Sequence, residues 1–241
     1  MKMKKNVFLI ALTVCVVTLC SCRGVQVNAG KSKQFSKVLS VTGFNRIQEN
    51  GSMDIVYTQG STWSVKIVGP EEALTRVDAK VSKGILVFSQ KKDYTVNVDL
   101  FSYNTGLTAY VSSPDLLGVD LQGSGDFYAR GKVDTDNLDF TLGGSGDASI
   151  GEVLCDHCKS LLSGSGDLRV GSLTTSDLSI ESDGSGDALF RRVNSLRTKA
   201  VLSGSGDVSL NFVRGDEVNA ILSGSGDLSL KGTFRHLQQD K

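Results

Sequence analysis

Six copies of the tetrapeptide Gly-Ser-Gly-Asp form the main concentration of side chains that could do chemistry in this sequence. They end at Asp126, Asp147, Asp167, Asp187, Asp207 and Asp227, so the spacing is 21 residues once and 20 residues four times. A period this regular, carried by short polar turns, is typical of a solenoid whose coils stack on one another. The aspartates are therefore predicted to form one column, about 5 Å apart, at a corner of the solenoid.

Three interpretations of this aspartate column stay open. In the structural one, which we favour, each carboxylate accepts hydrogen bonds from backbone N–H groups of its own turn or the next. In the second, adjacent carboxylates bind Ca²⁺, which prefers oxygen ligands. In the third, two carboxyl groups about 5 Å apart cleave glycosidic bonds. Because the six positions look alike, they lack the two different environments that acid–base catalysis needs. We predict no catalytic residue, no metal site and no cofactor.

The residues around each motif alternate between apolar and polar, as in strands with one buried face. Two inward columns are expected after the motif: Phe127, Ala148, Leu168, Ala188, Val208, Leu228 and Ala129, Ile150, Val170, Phe190, Leu210, Leu230. A second alternating stretch, such as Leu138-Phe140-Leu142 or Cys158-Ser160-Leu162, precedes the next motif. A third side is indicated by one apolar residue per coil: Val153, Leu173, Val193 and Val213. Three sides in about 20 residues predict a parallel β-helix, with the motif glycines supplying positive φ angles at the corner.

The residues that precede the repeats also have the pattern of strands. Segments 54–57, 63–68, 84–88 and 94–98 are rich in β-branched and aromatic residues, and Gln59-Gly60 predicts a hairpin turn. Pro70 predicts the start of a short helix. Gly51-Ser52-Met53-Asp54 is an imperfect copy of the motif, which predicts that the first coil begins there and that the following strands cap the solenoid end.

The first residues of the chain have the pattern of an export signal. Three lysines precede an apolar run from Val7 to Leu19, which is too short for a bilayer span of roughly 20 residues. Leu19-Cys20-Ser21-Cys22 resembles a bacterial lipobox, and this resemblance implies that Cys22 becomes the lipid-modified N-terminus. Removal of residues 1–21 leaves 23 basic against 26 acidic residues, a formal charge of −3. This balance argues against a nucleic-acid partner.

Only two cysteines follow Cys22, in the sequence Cys155-Asp156-His157-Cys158. This count excludes a disulfide scaffold. A zinc site would need further ligands, and a thioredoxin-like pair would need a helix start. We predict that Cys158 packs as a small apolar residue, because it falls in an inward column.

The ordered motifs together resemble a bacterial family called putative auto-transporter adhesin, head GIN domain. The resemblance covers nearly all of residues 38–230, through Gly43-Phe44, Gly51-Ser52 with Asp54, Gln59-Gly60, the turn around Pro114 and the Gly-Ser-Gly-Asp series. It implies a right-handed parallel β-helix and, for many members, a lipoprotein of Bacteroides-like bacteria. It brings no catalytic residues.

These inferences predict an all-β protein: signal peptide 1–21, flexible tether 22–37, N-terminal β region 38–122 with the first coil and cap, six coils in 123–230 and a tail 231–241. We expect a non-catalytic binding or structural module of the cell envelope, adhesin-like and attached to the outer membrane through Cys22. The alternative is a β-helix that binds or degrades polysaccharide. Expected partners are the membrane, an unidentified protein or glycan, and a second copy of the chain. Whether the protein faces the surface or the periplasm stays open.

Overall fold

The computed structural model describes residues 33–90 and 106–240, which belong to one compact unit. The predicted signal, Cys22 and the predicted strand 94–98 lie outside the described residues. Within them, no helix has the length and apolar character that a membrane crossing requires.

The described residues form sixteen strands and one short helix. Their bounds are β1 Gln34–Leu39, β2 Arg46–Glu49, β3 Asp54–Gln59, β4 Ser64–Pro70, α1 Glu71–Arg76, β5 Val77–Ser82, β6 Ile85–Gln90, β7 Thr108–Ser113, β8 Gly118–Leu121, β9 Phe127–Asp134, β10 Asn137–Leu142, β11 Ala148–Leu154, β12 His157–Leu162, β13 Leu168–Ser182, β14 Ala188–Leu202, β15 Val208–Leu222 and β16 Leu228–Asp240. The predicted helix after Pro70 is confirmed. Strand β1 begins within the expected tether, and β16 covers most of the expected tail.

The repeats form a parallel β-helix of about 20 residues per coil, as predicted. Ala148 pairs in parallel with Phe127 of the preceding coil and with Leu168 of the following one. From β13 to β16 each coil is one long strand that bends around the core, and it pairs along most of its length with its neighbours. One coil alone cannot bury its apolar columns, so the core exists only because the coils stack.

The inward columns predicted around the motif form the core. Phe127, Leu168 and Phe190 are fully buried, and Ser160 and Cys158 occupy inward positions with 0% and 2% exposure. Small and large side chains alternate from coil to coil, so the narrow interior is filled without overlap. Leu228 and Leu230 are only half-buried, because they lie in the last coil.

The prediction for Val213 was wrong. Val193 pairs with Phe212, whereas Asn194 pairs with Arg214, so Val213 is an extra residue in a β-bulge. The bulge directs Phe212 into the core, where it is 4% exposed, and leaves Val213 57% exposed. Counting a fixed period from Val193 could not reveal this change of register.

The hairpin predicted at Gln59-Gly60 was also wrong. Strands β3 and β4 do not pair, because β7 lies between them, parallel to β3 and antiparallel to β4. The coil formed by β2 and β3 lies between an outer coil of β6 and β7 and the later coil of β8 and β9. Antiparallel strands β1, β4 and β5 cover this end of the solenoid.

The motif glycines are required for a reason different from the one predicted. Positive φ angles occur among the described glycines at Gly43, Gly84, Gly106, Gly131 and Gly232, none of which belongs to the six motifs. Instead, a Cβ atom on Gly164 would lie 2.0 Å from the carbonyl oxygen of Gly144, and one on Gly166 would lie 2.0 Å from that of Gly146. Glycine is therefore selected at this corner by the close approach of successive backbones.

Candidate functional site

The structure brings all six motif aspartates into one column, and each is linked to the next by a hydrogen bond. The Oδ1 atom of Asp147 accepts a hydrogen bond from the main-chain N–H of Asp167 over 2.9 Å, and Asp167 accepts one from Asp187 over 2.8 Å. The same bond joins Asp126 to Asp147, Asp187 to Asp207 and Asp207 to Asp227, at 2.8 Å each. The carboxylates thus hold successive turns together and satisfy N–H groups that the sharp corner removes from the strand ladder.

The column continues into the imperfect first motif. Asp54 accepts a hydrogen bond from the N–H of Asp126 over 3.1 Å, and the N–H of Ser124 donates to the carbonyl of Gly51 over 2.7 Å. The turn at Gly51–Asp54 therefore stacks directly on the turn at Gly123–Asp126. A departure in one glycine of the motif does not prevent this stacking.

The second carboxylate oxygens have partners only in the first coils among the described residues. The hydroxyl of Tyr128 donates to Oδ2 of Asp126 over 2.9 Å, and this bond raises the pKa of Tyr128 to about 12. Arg169 donates to Oδ2 of Asp147 over 3.2 Å and to Oδ2 of Asp167 over 2.6 Å. The column is therefore held by side chains at its N-terminal end and exposed at Asp187, Asp207 and Asp227.

A buried carboxylate lies at the start of the column and was not singled out from the sequence. Glu49 pairs with Leu121 in the strand ladder, so it occupies an inward position that is apolar in most coils. Its Oε1 atom accepts hydrogen bonds from the N–H groups of Gly51, over 2.6 Å, and Met53, over 3.3 Å. Burial raises the pKa of Glu49.

The role of Glu49 follows from comparison with a repeated turn. In the third motif, the N–H of Gly164 donates to the carbonyl of Leu142, and the N–H of Gly166 donates to that of Gly144. In the first turn, the Glu49 carboxylate accepts the hydrogen bonds of the two corresponding N–H groups. Glu49 is thus a cap for the turn column. The one sequence signal for it is a charged residue at an otherwise apolar strand position.

A groove of about 690 Å³ runs along the outer surface of another side of the solenoid. Its walls are two outward columns contributed by successive coils from β10 to β16. One column contains His157, Asp177, Arg197, Glu217 and His236, and the other contains Asp139, Lys159, Ser179, Lys199, Asn219 and Gln238. Five coil steps make the groove about 24 Å long. The regular recurrence of polar residues at these positions was a signal that the sequence-based predictions did not use.

The centre of the groove is organised by an ion pair. Arg197 donates to both carboxylate oxygens of Asp177, over 2.5 and 2.7 Å, and Nδ1 of His157 lies 3.0 Å from the same carboxylate. The hydrogen bond from Arg197 lowers the pKa of Asp177. A general acid for glycoside cleavage needs a raised pKa instead, so Asp177 is unsuited to that role.

Both cysteines lie inside the protein, and Cys158 borders this groove. Cys155 is 6% and Cys158 2% exposed, and neither is in a disulfide. A hydrogen bond between the two thiols lowers the pKa of Cys155 and raises that of Cys158, which burial raises further. The described part of the chain contains no cluster of three or more His, Cys, Asp or Glu residues that could hold a metal ion.

Solved structures with the same architecture come from species of Bacteroides and Parabacteroides. A putative adhesin from Bacteroides fragilis is 23% identical, with a TM-score of 0.67 over 86% of this chain and 97% of that one. A putative adhesin from Parabacteroides merdae is 20% identical, with a TM-score of 0.55 over 88% and 98%. A putative lipid binding protein from Parabacteroides distasonis is 16% identical, with a TM-score of 0.54 over 87% and 98%. At these identities the similarity concerns the fold.

No curated protein matches the chain. The model of one protein family matches residues 43–233, which includes the first coil, the capping strands β4 and β5 and all six motifs. The chain therefore belongs to the family described as putative auto-transporter adhesin, head GIN domain.

Proposed function

We propose that this protein is a non-catalytic binding module of the cell envelope, adhesin-like, whose ligand lies lengthwise in the groove along β10 to β16. The groove is the observation that carries the proposal. It offers an extended ligand a row of polar side chains repeated at the coil spacing of about 4.8 Å. The family assignment supports an envelope location.

Membership of this family gives no catalytic residues, and the carboxylates argue for a binding role. In the aspartate column, the carboxylates from Asp126 to Asp207 already accept backbone hydrogen bonds. In the groove, the carboxylate of Asp177 is paired with Arg197. Hydrolysis or elimination would require one carboxyl group that stays protonated near neutral pH beside one that is ionised. Glu49, whose pKa is raised, is buried and caps a turn.

A glycan is the ligand that the groove favours. Its walls present hydroxyl, amide, guanidinium, ammonium and imidazole groups from Ser179, Asn219, Arg197, Lys199 and His236. Such groups can form the many directional hydrogen bonds that sugar hydroxyls require. The repeated spacing suits a polymer with a repeated unit better than a compact small molecule.

The binding proposal can be tested with residues 33–241, which form one compact unit. We expect binding to an array of bacterial and host glycans. Ser179→Tyr, which adds a bulky ring to a wall of the groove, should reduce that binding at least tenfold. Ser209→Tyr, in the outward column of a different side of the solenoid, is the matched control. Loss of binding in both variants, or in neither, would exclude the groove as the site.

The lipid anchor and the orientation require cellular experiments. We propose that Cys22 carries the lipid and that residues 1–21 are removed. Metabolic labelling with a fatty acid should mark the wild-type protein and fail to mark Cys22→Ser. An impermeant label on intact cells, with periplasmic and lysed-cell controls, should reach the protein if it acts as an adhesin. Protection until lysis would contradict adhesion and would leave a periplasmic binding role.

A further inference from the structure

Four cations without an ion pair lie together on the third side of the last three coils. They are Arg191, Arg192, Arg214 and Lys231, here called the basic patch. All four are exposed, and none forms an ion pair with another described residue. By contrast, nearby Arg235 lies 3.4 Å from Asp216. Unpaired cations on adjacent coils repel one another, so nothing within the described fold accounts for their grouping.

The strand register places these cations side by side. Phe190 pairs with Leu210, and Val193 pairs with Phe212, so Arg191 and Arg192 together face Asn211 alone. Asn211 in turn pairs with Lys231 of the last coil. The patch therefore covers three neighbouring strands, about 10 Å across. At the positions of Arg191 and Arg192, the preceding coil has Gly171 and Ser172, so the basic patch does not extend into that coil.

Two bulges shape the surface of the patch. One leaves Arg191 and Arg192 opposite a single residue, and the other expels Val213 from the core, next to Arg214. Bulges redirect side chains away from the regular strand pattern. As a result, Val213, which is 57% exposed, lies next to Arg214 on the strand between those that carry Arg191, Arg192 and Lys231.

We propose that the basic patch binds the anionic headgroups of a lipid surface, with Val213 entering the boundary between headgroups and acyl chains. Cations next to an exposed apolar side chain are the combination that interfacial membrane contacts use. An acidic polysaccharide would engage the cations but would have no use for Val213.

The test uses residues 33–241, which lack Cys22, so its outcome does not depend on lipid modification. Co-sedimentation should show binding to vesicles that contain phosphatidylglycerol and none to pure phosphatidylcholine. Added salt should weaken the binding. Arg191→Gln with Arg192→Gln should lower the partition coefficient about 30-fold, and Val213→Ser about fivefold. The control Arg130→Gln with Lys132→Gln removes two exposed cations from the same side of the first coil and should have little effect.

Four results would overturn the proposal. Equal binding to both vesicle types would exclude a role for headgroup charge. Equal losses in the control and in the Arg191/Arg192 variant would mean that net charge alone matters. If Val213→Ser left vesicle binding unchanged and a soluble acidic polysaccharide competed with the vesicles, the partner would be an acidic polymer. Competition by inorganic phosphate at similar concentrations would identify a phosphate site that needs no lipid surface.

Discussion

The two ends of this solenoid differ in how they cover the core and the backbone groups that a missing coil leaves exposed. At the N-terminal end, Glu49 accepts hydrogen bonds from N–H groups of the first turn, and the antiparallel strands β1, β4 and β5 cover the coils. At the C-terminal end, β16 pairs with β15 but has no strand on its other side among the described residues. Phe234 and Leu230 are half-buried there, whereas Phe44 and Ile47 near the first end are fully buried.

This difference shows what the repeated motif requires. A turn in the middle of the column receives acceptors from the coil before it and supplies a carboxylate to the coil after it. In the first turn, Glu49 replaces the acceptors that a preceding coil would provide. In the last turn, the carboxylate of Asp227 accepts no hydrogen bond from a described N–H group. Copies of the Gly-Ser-Gly-Asp motif therefore contribute unequally to stability, according to their position in the stack.

The largest predicted loss of stability comes from a glycine substitution in a repeated turn, compared with the same substitution in the first turn. In Gly144→Ala the new Cβ would lie 1.9 Å from the carbonyl oxygen of Gly123, so two backbones must move apart. We expect a loss of at least about 3 kcal/mol in the free energy of unfolding. Gly51→Ala meets only the Glu49 side chain, at 3.1 Å, and should cost less than about 1 kcal/mol. Urea denaturation measures both variants, and equal losses would disprove the close-approach explanation.

Removal of the Glu49 cap should cause the next largest loss in the free energy of unfolding. Glu49→Ala leaves the N–H groups of Gly51 and Met53 without their acceptor inside the protein, at an expected cost of about 2 kcal/mol. Glu49→Gln keeps an oxygen acceptor and should be closer to wild type. Denaturation of the two variants at one pH provides the comparison. A glutamine variant as unstable as the alanine variant would argue against the acceptor role.

The cap also predicts a pH dependence. Because burial raises the pKa of Glu49 above its ordinary value of 4.5, the folded protein binds more protons than the unfolded chain between the two pKa values. This contribution to stability is present below 4.5 and is lost as the pH rises through the raised pKa. The difference in Tm between wild type and Glu49→Gln should therefore change across this window. A difference that does not vary with pH would contradict the raised pKa.

The smallest effect is expected from calcium. Because the carboxylates from Asp126 to Asp207 already accept backbone hydrogen bonds, millimolar Ca²⁺ or EDTA should change the Tm of residues 33–241 by less than about 1 °C. A rise in Tm with Ca²⁺ that Asp207→Asn abolishes would show that the exposed part of the column binds the ion.

The periodic features of the fold were predictable from the sequence, whereas features that depend on neighbouring coils were not. The inward columns at Leu168 and Phe190 follow from alternation and a constant period. The bulge at Val213 changes the register inside one coil. Strand β7 pairs between β3 and β4, although it follows both in the sequence. Alternation within single strands contains neither kind of information.

The candidate sites show the same limit. Sequence spacing predicted one aspartate column but could not show which N–H group each carboxylate binds. The role of the glycines was misassigned because close approach between coils depends on the coil next to them, whereas φ depends on the residue itself. The groove and the basic patch arise from residues 20 positions apart, such as Asp177 and Arg197, which only stacking brings together.

The most direct test of the account compares Asp167→Ala with Asp227→Ala by urea denaturation. Asp167 accepts a hydrogen bond from the N–H of Asp187, whereas no described N–H group donates to the carboxylate of Asp227. We predict a loss of about 1.5–3 kcal/mol for Asp167→Ala, because the N–H group of Asp187 loses a charged acceptor, and a change within about 0.5 kcal/mol for Asp227→Ala. Equal effects on stability, large or small, would contradict the claim that the column exists to hold successive coils together.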